Sequence, residues 1–265
     1  MQLKDVICLG VAGNFAHHLE QAGELEDFKN VVTETADAPK GIFPFYLPGS
    51  DSFLGLYSIG TDTLTLPTYE ANAQVEPEIA VLFDIVYNDV FEVIDLHAKQ
   101  FTTFNDCTIR KEGAKKISEK KSWGENSKGI GDKWIVVDTF EEGGVMDNYH
   151  LCSFVKREGI VHPYGVDAPL LGYSYFYTKL KNWLIDKMNT QKDFGPLEDI
   201  ATHLKNTQYP KQALISIGAT AYADFGEHNY LQSGDEVYVI AYDVRKDKAD
   251  FTASDSKVIL HQKVQ

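Results

Sequence analysis

The sequence predicts an α+β fold built mostly from strands, on the basis of three patterns. The run 79-IAVLFDIVY-87 is too apolar for a strand that faces solvent, so it predicts a buried strand. Residues 90–96 alternate apolar and polar side chains, as a half-buried strand does. Residues 173–189 repeat apolar side chains at helical spacing. Together these patterns predict a chain rich in strands, with helices in its second half.

The first seventy residues predict less regular structure than the rest of the chain. Residues 6–13 are typical of a strand, and residues 15–24 follow a glycine-containing turn and predict a short helix. Residues 39–49 contain three prolines and two glycines, which favour an extended loop over a regular element.

The remaining elements follow from turn residues and periodicity. The strands at 79–87 and 90–96 are separated by Asn88-Asp89, which predicts a hairpin. We expect the further elements in this order: a strand at 134–140, a hairpin over 149–165 that turns at 157–159, a helix at 196–206, and strands at 212–222 and 231–243. Neither a repeat nor a low-complexity linker divides the chain, so we expect one domain over residues 1–265.

The composition argues against several classes of protein. The 265 residues carry a formal net charge of −14, which disfavours binding to nucleic acid or to an anionic membrane surface. No apolar run approaches the length of a membrane-spanning helix, and the N-terminus does not resemble a secretory signal. We therefore expect a cytoplasmic protein. Its three cysteines, Cys8, Cys107 and Cys152, are widely spaced, which indicates buried free thiols rather than disulfides.

Three carboxylates are candidates for a metal site. Glu76 and Glu78 are two residues apart at the entry to the buried strand, so both side chains point to the same face. Asp106 follows about thirty residues later in a mostly uncharged run and can arrive from a neighbouring strand. Hard divalent cations such as Mg²⁺ take such oxygen ligands. The alternative is that these are solvated acids in a chain that has 39 of them.

The same residues also form part of a wider resemblance. The segments 76-EPEIAVLF-83, 101-FTTFNDCTIRK-111 and 121-KSWGENSKGIG-131 resemble the metal-binding half of the fumarylacetoacetate hydrolase superfamily. Upstream, 8-CLGVAGNFAHHLEQAG-23 is similar to the family's N-terminal segment. Downstream, 213-ALISIGAT-220 and 231-LQSGDEVYV-239 resemble its closing elements.

The resemblance implies a role for each matching residue. Glu76, Glu78 and Asp106 correspond to the carboxylates that hold Mg²⁺ or Mn²⁺. Lys121 corresponds to a lysine that contacts and polarises the substrate, and His18 to a histidine that acts as a general base on water. The segment that contains Gly218 and Thr220 falls where the family places a substrate-contacting threonine.

The resemblance also implies a fold and an activity. The fold would be a mixed β-sheet roll with a helical insertion near 165–210, in which residues 1–70 form an N-terminal lid and strand region and residues 71–265 the metal-binding roll. The activity would be C–C bond hydrolysis, decarboxylation or isomerisation of a small anionic 2-oxo or 1,3-dicarbonyl acid through a metal-stabilised enolate. Members of the family are commonly dimers, which implies a homodimer.

Two departures from the family pattern keep an alternative open. Hydrolytic members pair the histidine with a glutamate three residues later, where this chain has Gln21, and Thr220 is displaced by one residue. The chain is therefore either an enzyme of a divergent branch or a catalytically lapsed member that binds a small anionic metabolite.

The basic residues around the predicted site allow two interpretations. A cluster of lysines is either a solvated face or a positive rim that attracts anionic substrate, with Lys121 alone pointing inward; its members are Lys115, Lys116, Lys120, Lys121 and Lys128. Arg110 either binds a substrate carboxylate or neutralises the acids.

Overall fold

The computed structural model describes residues 3–15, 18–23, 25–111 and 113–265. These residues form strands that we number in chain order: β1 (Ile7–Ala12), β2 (Gly41–Tyr46), β3 (Ile59–Gly60), β4 (Thr63–Leu64), β5 (Asn72–Gln74), β6 (Pro77–Tyr87), β7 (Val93–Asn105), β8 (Thr108–Arg110), β9 (Lys128–Ile130), β10 (Ile135–Val136), β11 (Tyr149–Arg157), β12 (Ile160–Pro169), β13 (Gln212–Ser216), β14 (Glu236–Asp243) and β15 (Lys257–Val264). The helices are α1 (His18–Gln21), α2 (Ser118–Lys121), α3 (Tyr177–Thr190), α4 (Ile200–Asn206) and α5 (Asp224–His228).

The strands form two large sheets and one small one. The first sheet has the order β2-β1-β13-β6-β7-β9-β3, with β10 paired to β7, and the second has the order β12-β11-β14-β15-β4. Strands β5 and β8 form a two-stranded sheet beside them. Because parallel and antiparallel neighbours occur in both large sheets, the predicted mixed, mostly-β architecture is confirmed.

The long hairpin β6–β7 is the centre of the first sheet. Both faces of β6 are covered, which explains the apolar run that predicted a buried strand. Val81 and Phe83 on one face pack into the core between the two large sheets, where Leu151 of β11 and Val239 of β14 meet them. The opposite face of β6 belongs to a second apolar cluster, built with residues of β1, β2 and β7. The predicted hairpin is confirmed, and β7 extends through residue 105.

One proline-rich segment was predicted wrongly. Residues 41–46 form strand β2 and not a loop, and β2 pairs with β1 antiparallel. Pro44 lies within this strand opposite Leu9. A proline is tolerated there because β2 is the last strand of the described sheet, so no further ladder needs its missing N–H.

The helices are shorter than the sequence predicted. The helix expected at 173–189 begins at Tyr177, and the one expected at 196–206 begins at Ile200 with Asp199 as its N-cap. Both lie in the predicted insertion, of which residues 165–169 continue strand β12. In the expected helix at 15–24, the described helical residues are His18–Gln21, and residues 16, 17 and 24 lie outside the described part.

Several strands also differ from the expectation. The strand expected at 134–140 is limited to two residues, and those expected at 212–222 and 231–243 are limited to Gln212–Ser216 and Glu236–Asp243. Besides β2, the unpredicted strands are β3, β4, β5, β8, β9 and β15. The hairpin β11–β12 turns at Glu158 and Gly159, within the turn that the sequence predicted, and both residues have positive φ.

The three cysteines are buried and free. Among the described helices, none has the length and apolar character that crossing a membrane requires.

Candidate metal centre

The pairing of β6 with β7 brings the three predicted carboxylates together. Glu78 lies opposite Phe104, and two positions further the backbone N–H of Asp106 donates a 3.0 Å hydrogen bond to the carbonyl oxygen of Glu76. Since side chains alternate along a strand, Glu76, Glu78 and Asp106 all reach the same side of the sheet. One carboxylate oxygen from each residue lies within 4.8 Å of the other two, and all three side chains are buried.

The backbone beneath this cluster is fixed by buried amides. The side-chain oxygen of Asn105 accepts a 3.3 Å hydrogen bond from the N–H of Glu76, and its amide nitrogen donates to Gln262 at 3.0 Å. The amide of Gln262 in turn donates to the carbonyl oxygen of Lys128 at 3.2 Å. Hydrogen bonds between the two large sheets therefore fix the backbone that carries the acidic residues.

Lys121 enters the cluster from the short helix α2. Its ammonium contacts Oε2 of Glu76 and lies 2.7 Å from Oδ2 of Asp106. Its Nζ also lies 5.5 Å from the centre of the Phe43 ring. The side chain is 4% exposed, so Lys121 points inward, as in the second of the two interpretations of the lysine cluster.

A second lysine, Lys128, also points into the cluster. The interpretation in which Lys121 alone points inward was therefore wrong. Lys128 on β9 is completely buried, with Nζ 2.9 Å from Oδ1 of Asp106 and 2.6 Å from the carbonyl oxygen of Cys107. The sequence alone favours a solvated face or a positive rim for Lys128, because it lies in a cluster of lysines. The one local signal was its position in an otherwise uncharged run, 127-SKGIG-131.

His18 lies at the edge of the cluster, on helix α1. Its Nε2 is 3.8 Å from Oε2 of Glu76, and its ring lies 5.2 Å from the ring of Tyr222. Its Nδ1 is buried and has no hydrogen-bond partner among the described residues. Gln21 on the same helix is bound elsewhere: its amide donates to the carbonyl oxygen of Tyr222 at 3.2 Å and to Glu227 at 3.0 Å.

The loop after β13 supplies a backbone contact to Glu78. The N–H of Gly218 donates a 2.8 Å hydrogen bond to Oε2 of Glu78. Thr220 is buried nearby, with its N–H bonded to the carbonyl oxygen of Pro77 at 3.2 Å, and its hydroxyl has no hydrogen-bond partner among the described residues. Asn14 anchors this loop, because its amide nitrogen donates to the carbonyl oxygen of Ile217.

Arg110 approaches the cluster from strand β8. One terminal nitrogen lies 3.7 Å from Oε1 of Glu76, while Nε donates to Gln74 at 2.6 Å and the other terminal nitrogen to the Tyr222 hydroxyl at 3.1 Å. Its side chain is 15% exposed. The guanidinium therefore lies between the buried acids and a larger cavity of about 550 Å³, which Lys111, Lys120 and Tyr230 also line.

The two glutamates differ in their electrostatic environment. Burial raises the pKa of Glu78 well above its ordinary value, and the nearby charge of Asp106 raises it further. Burial acts in the same direction on Glu76, but Lys121, His18 and Arg110 outweigh it and hold the pKa of Glu76 well below the ordinary range. Burial lowers the pKa of Lys128, which Asp106 partly offsets. A carboxylate and a carboxylic acid can therefore coexist in this cluster.

The donor set is suited to a divalent cation. Three carboxylates offer hard oxygen ligands at a common point, and Oε1 of Glu76 is buried without a hydrogen-bond partner among the described residues. The space that the site residues enclose is about 10 Å³, which is comparable with the need of a single water or ion. His18, Phe43, Ile117 and Ala219 also line this space.

The fold defines the structural class of the protein. The 5-carboxymethyl-2-hydroxymuconate delta-isomerase from Mycobacterium smegmatis aligns over 97% of this chain and 78% of its own, with a TM-score of 0.53 and 16% identity. A fumarylacetoacetate hydrolase family protein from Yersinia pestis CO92 aligns over 98% and 94%, with a TM-score of 0.54 and 13% identity. A 2-keto-3-deoxy-D-arabinonate dehydratase, solved with magnesium and 2,5-dioxopentanoate, aligns over 98% and 73%, with a TM-score of 0.54 and 14% identity.

These alignments confirm the fumarylacetoacetate hydrolase type of fold that the sequence motifs implied. Residues 24–262 match the model of a family of unknown function, DUF5718, and the chain belongs to that family. Among curated protein sequences, no significant match is found.

Proposed function

We propose that the chain is a divalent-metal-dependent enzyme that acts on a small anionic 2-oxo or 1,3-dicarbonyl acid. The observation that carries the proposal is the buried cluster of Glu76, Glu78 and Asp106, in which one carboxylate oxygen from each residue lies within 4.8 Å of the other two. Buried carboxylates are costly unless they are paired or bind a metal, so a cluster of three is a candidate for a functional site. The solved dehydratase of the same fold, which holds magnesium and 2,5-dioxopentanoate, supports the proposal.

The cluster residues would hold Mg²⁺ or Mn²⁺, which supplies Lewis-acid stabilisation of negative charge on a substrate oxygen. Lys121 would donate a hydrogen bond to the same developing charge, since its ammonium already lies among the acids. His18 would act as the general base, because its ring is buried at the edge of the cluster and Nδ1 lacks a partner among the described residues. The loop at Gly218 and Thr220 would contact the substrate.

Arg110 would bind the substrate carboxylate. Its guanidinium lies between the acids and the larger cavity, and it can offer two parallel N–H donors to a carboxylate. The enclosed space at the acids is too small for an oxo acid, so substrate entry requires local movement. The short helices α1 and α2 flank this space and are the elements best suited to move.

The same site could serve three types of reaction. C–C hydrolysis, decarboxylation and isomerisation all develop negative charge on a substrate oxygen that a bound cation would stabilise. Gln21 is directed towards Tyr222 and Glu227 and gives His18 no carboxylate partner. This favours decarboxylation or isomerisation over hydrolysis by a histidine–carboxylate pair. As part of the same proposal, the chain is a single domain that works as a homodimer in the cytoplasm.

A second candidate is a catalytically lapsed protein that binds a small anionic metabolite. The observation in its favour is that the basic side chains of Lys121, Lys128 and Arg110 already lie beside the acidic cluster. A cluster balanced in this way does not depend on a metal, and its basic side chains suit an anionic ligand.

The experiment combines thermal unfolding with a substrate panel. Mn²⁺ or Mg²⁺ is expected to raise the melting temperature, with about 2.7 kcal/mol of stabilisation at one hundred times Kd, and Glu76→Gln should abolish the shift. The control is Glu236→Gln, which removes an acid of β14 outside the cluster and should keep it. Turnover of acylpyruvates or oxaloacetate that depends on the cation and on Glu76 supports the enzyme. Anion binding without turnover supports the lapsed protein, and the absence of any cation effect contradicts the metal site.

A further inference from the structure

We propose that Lys128 is a fixed counter-charge that weakens the binding of a divalent cation and keeps the acidic cluster stable without one. The inference rests on the proposed metal site and concerns how tightly that site holds its ion. It starts from an unusual feature: a completely buried lysine whose ammonium lies 2.9 Å from Oδ1 of Asp106.

The chemistry around Nζ shows that Lys128 acts as a cation. Its neighbours at hydrogen-bond distance are oxygen acceptors, namely the Asp106 carboxylate and the carbonyl oxygen of Cys107 at 2.6 Å. The ring of Trp123 lies 5.7 Å away and offers its face to the same charge. The ammonium therefore forms an ion pair with Asp106 and lies against one of its two carboxylate oxygens.

Lys128 cannot easily withdraw from this position. Its strand β9 pairs with β7 and β3 on its two sides. Its backbone N–H donates to the carbonyl oxygen of Ser58 at 3.0 Å, and its carbonyl oxygen accepts from the Gln262 amide. A side chain added at the next residue, Gly129, would collide with Gln262, so this amide is packed directly against the strand.

Lys121 differs in this respect. It lies at the last residue of the one-turn helix α2, whose start is held by segment 193–198, and the hydroxyl of the next residue, Ser122, donates to the carbonyl oxygen of Phe45 on β2 at 2.9 Å. Lys116 binds the carbonyl oxygens of Gly195 and Leu197, and Ser118 donates to Glu198 at 3.1 Å. A short helix can shift when an ion or substrate enters, whereas a strand between two neighbours cannot. Lys128 is therefore the permanent positive charge of the site.

The charge balance gives the expected effect of removing Lys128. Lys121 and Lys128 pair with Asp106, and Arg110 lies near Glu76. Without Lys128, Oδ1 of Asp106 becomes a buried carboxylate oxygen without its cation, which costs stability. A bound divalent cation replaces the missing charge, so cation affinity should rise by a factor of ten or more as an order of magnitude.

The test uses Lys128→Met, which keeps the length of the side chain and removes its charge. The matched control is Lys257→Met, since Lys257 is also buried and pairs with Asp250 at 2.6 Å, outside the cluster. Calorimetric titration with Mn²⁺ should give tighter binding to Lys128→Met than to the wild type, with Lys257→Met unchanged. In EDTA, Lys128→Met should melt at a lower temperature than the wild type, and Mn²⁺ should raise its melting temperature by more than it raises that of the wild type or of Lys257→Met.

The possible outcomes separate this inference from the metal proposal. If the wild type binds Mn²⁺ and Lys128→Met binds it equally or more weakly, the role of Lys128 is overturned, while the metal site is still supported. Binding to the variant alone supports the role, and no binding to either protein overturns both proposals. If Lys128→Met does not fold in EDTA, its refolding is measured with Mn²⁺, and the same test is made on Lys128→Gln. Recovery of the folded state with Mn²⁺ supports the inference, and failure to recover it contradicts the inference.

Discussion

The backbone N–H of Gly218 donates a 2.8 Å hydrogen bond to the Glu78 carboxylate, across 140 residues of sequence. This contact joins the loop after β13 to the acidic cluster through Glu78 of β6. Gly218 has φ of 114°, and a Cβ atom at this position would lie 2.8 Å from Cβ of Asn14. The loop that holds Glu78 therefore requires glycine for two separate reasons, its backbone conformation and its close approach to Asn14.

Gly218→Ala is expected to lower the free energy of unfolding by about 2–4 kcal/mol, because strain at positive φ adds to the clash with Asn14. Urea denaturation measures this difference. Gly234→Ala is the matched control, since Gly234 has φ of 95° and nothing lies within 4 Å of its added Cβ. Gly234→Ala should lower the free energy of unfolding only through backbone strain at positive φ, by about 1–2 kcal/mol. Equal losses in the two variants would show that Asn14 yields to the added methyl group.

Gln21→Glu is expected to destabilise the protein rather than to create a histidine–carboxylate pair. The Gln21 amide donates to Glu227 and to the carbonyl oxygen of Tyr222, so a carboxylate there would face two acceptors. We expect a loss of about 1–2 kcal/mol at neutral pH by denaturant unfolding. The double variant with Glu227→Gln should recover part of it. A stable Gln21→Glu protein with increased hydrolysis would contradict this interpretation.

Glu198 is expected to make stability fall as pH rises. Burial raises the pKa of Glu198 from 4.5 to about 7, so the folded state retains a proton that the unfolded state releases. The stabilisation is complete below pH 4.5 and is lost as pH rises towards 7, by up to about 3 kcal/mol.

Unfolding free energies of Glu198→Gln measured between pH 5 and 8 test this expectation. The variant should lose less stability over this range than the wild type. Glu236→Gln serves as the control, because the pKa of Glu236 is about 2 and its titration lies below the range. Parallel pH profiles for wild type and Glu198→Gln would show that Glu198 does not cause the loss of stability as pH rises.

Arg110→Gln is expected to raise KM for an acylpyruvate by roughly 10–100-fold, with a smaller effect on kcat. The reason is the loss of charge-assisted hydrogen bonds to the substrate carboxylate, each about 1.5–3 kcal/mol. Steady-state kinetics with saturating Mn²⁺ measure both constants. Lys111→Gln removes an exposed charge that lines the same cavity and should change KM little. Similar KM values for the two variants would indicate general attraction instead of a specific contact.

Much of the architecture was predictable because it follows from local patterns. The buried run of β6 and the hairpin turn at Glu158 and Gly159 were recognised from residues that are close in sequence. The acids Glu76 and Glu78 were placed on one face by the two-residue period of a strand, and the structure places them so. Their approach to Asp106 required only the pairing of two consecutive strands.

Other features depended on contacts that no local pattern contains. Strand β2 tolerates Pro44 because of its edge position, and edge positions are set by the order of the whole sheet. The direction of the Gln21 side chain depends on Tyr222 and Glu227, more than 200 residues later.

The sequence by itself determined the strand-rich fold and the order of the three acids, since the alternation of side chains and the turn residues are local properties. Only the tertiary structure decided which basic residues neutralise those acids. Lys121 and Lys128 are both lysines in the same short stretch, and burial of Lys128 results from the pairing of β9 with β3 and β7 and from Gln262 of β15. Burial and charge pairing are properties of packed neighbours, and these neighbours come from distant parts of the chain.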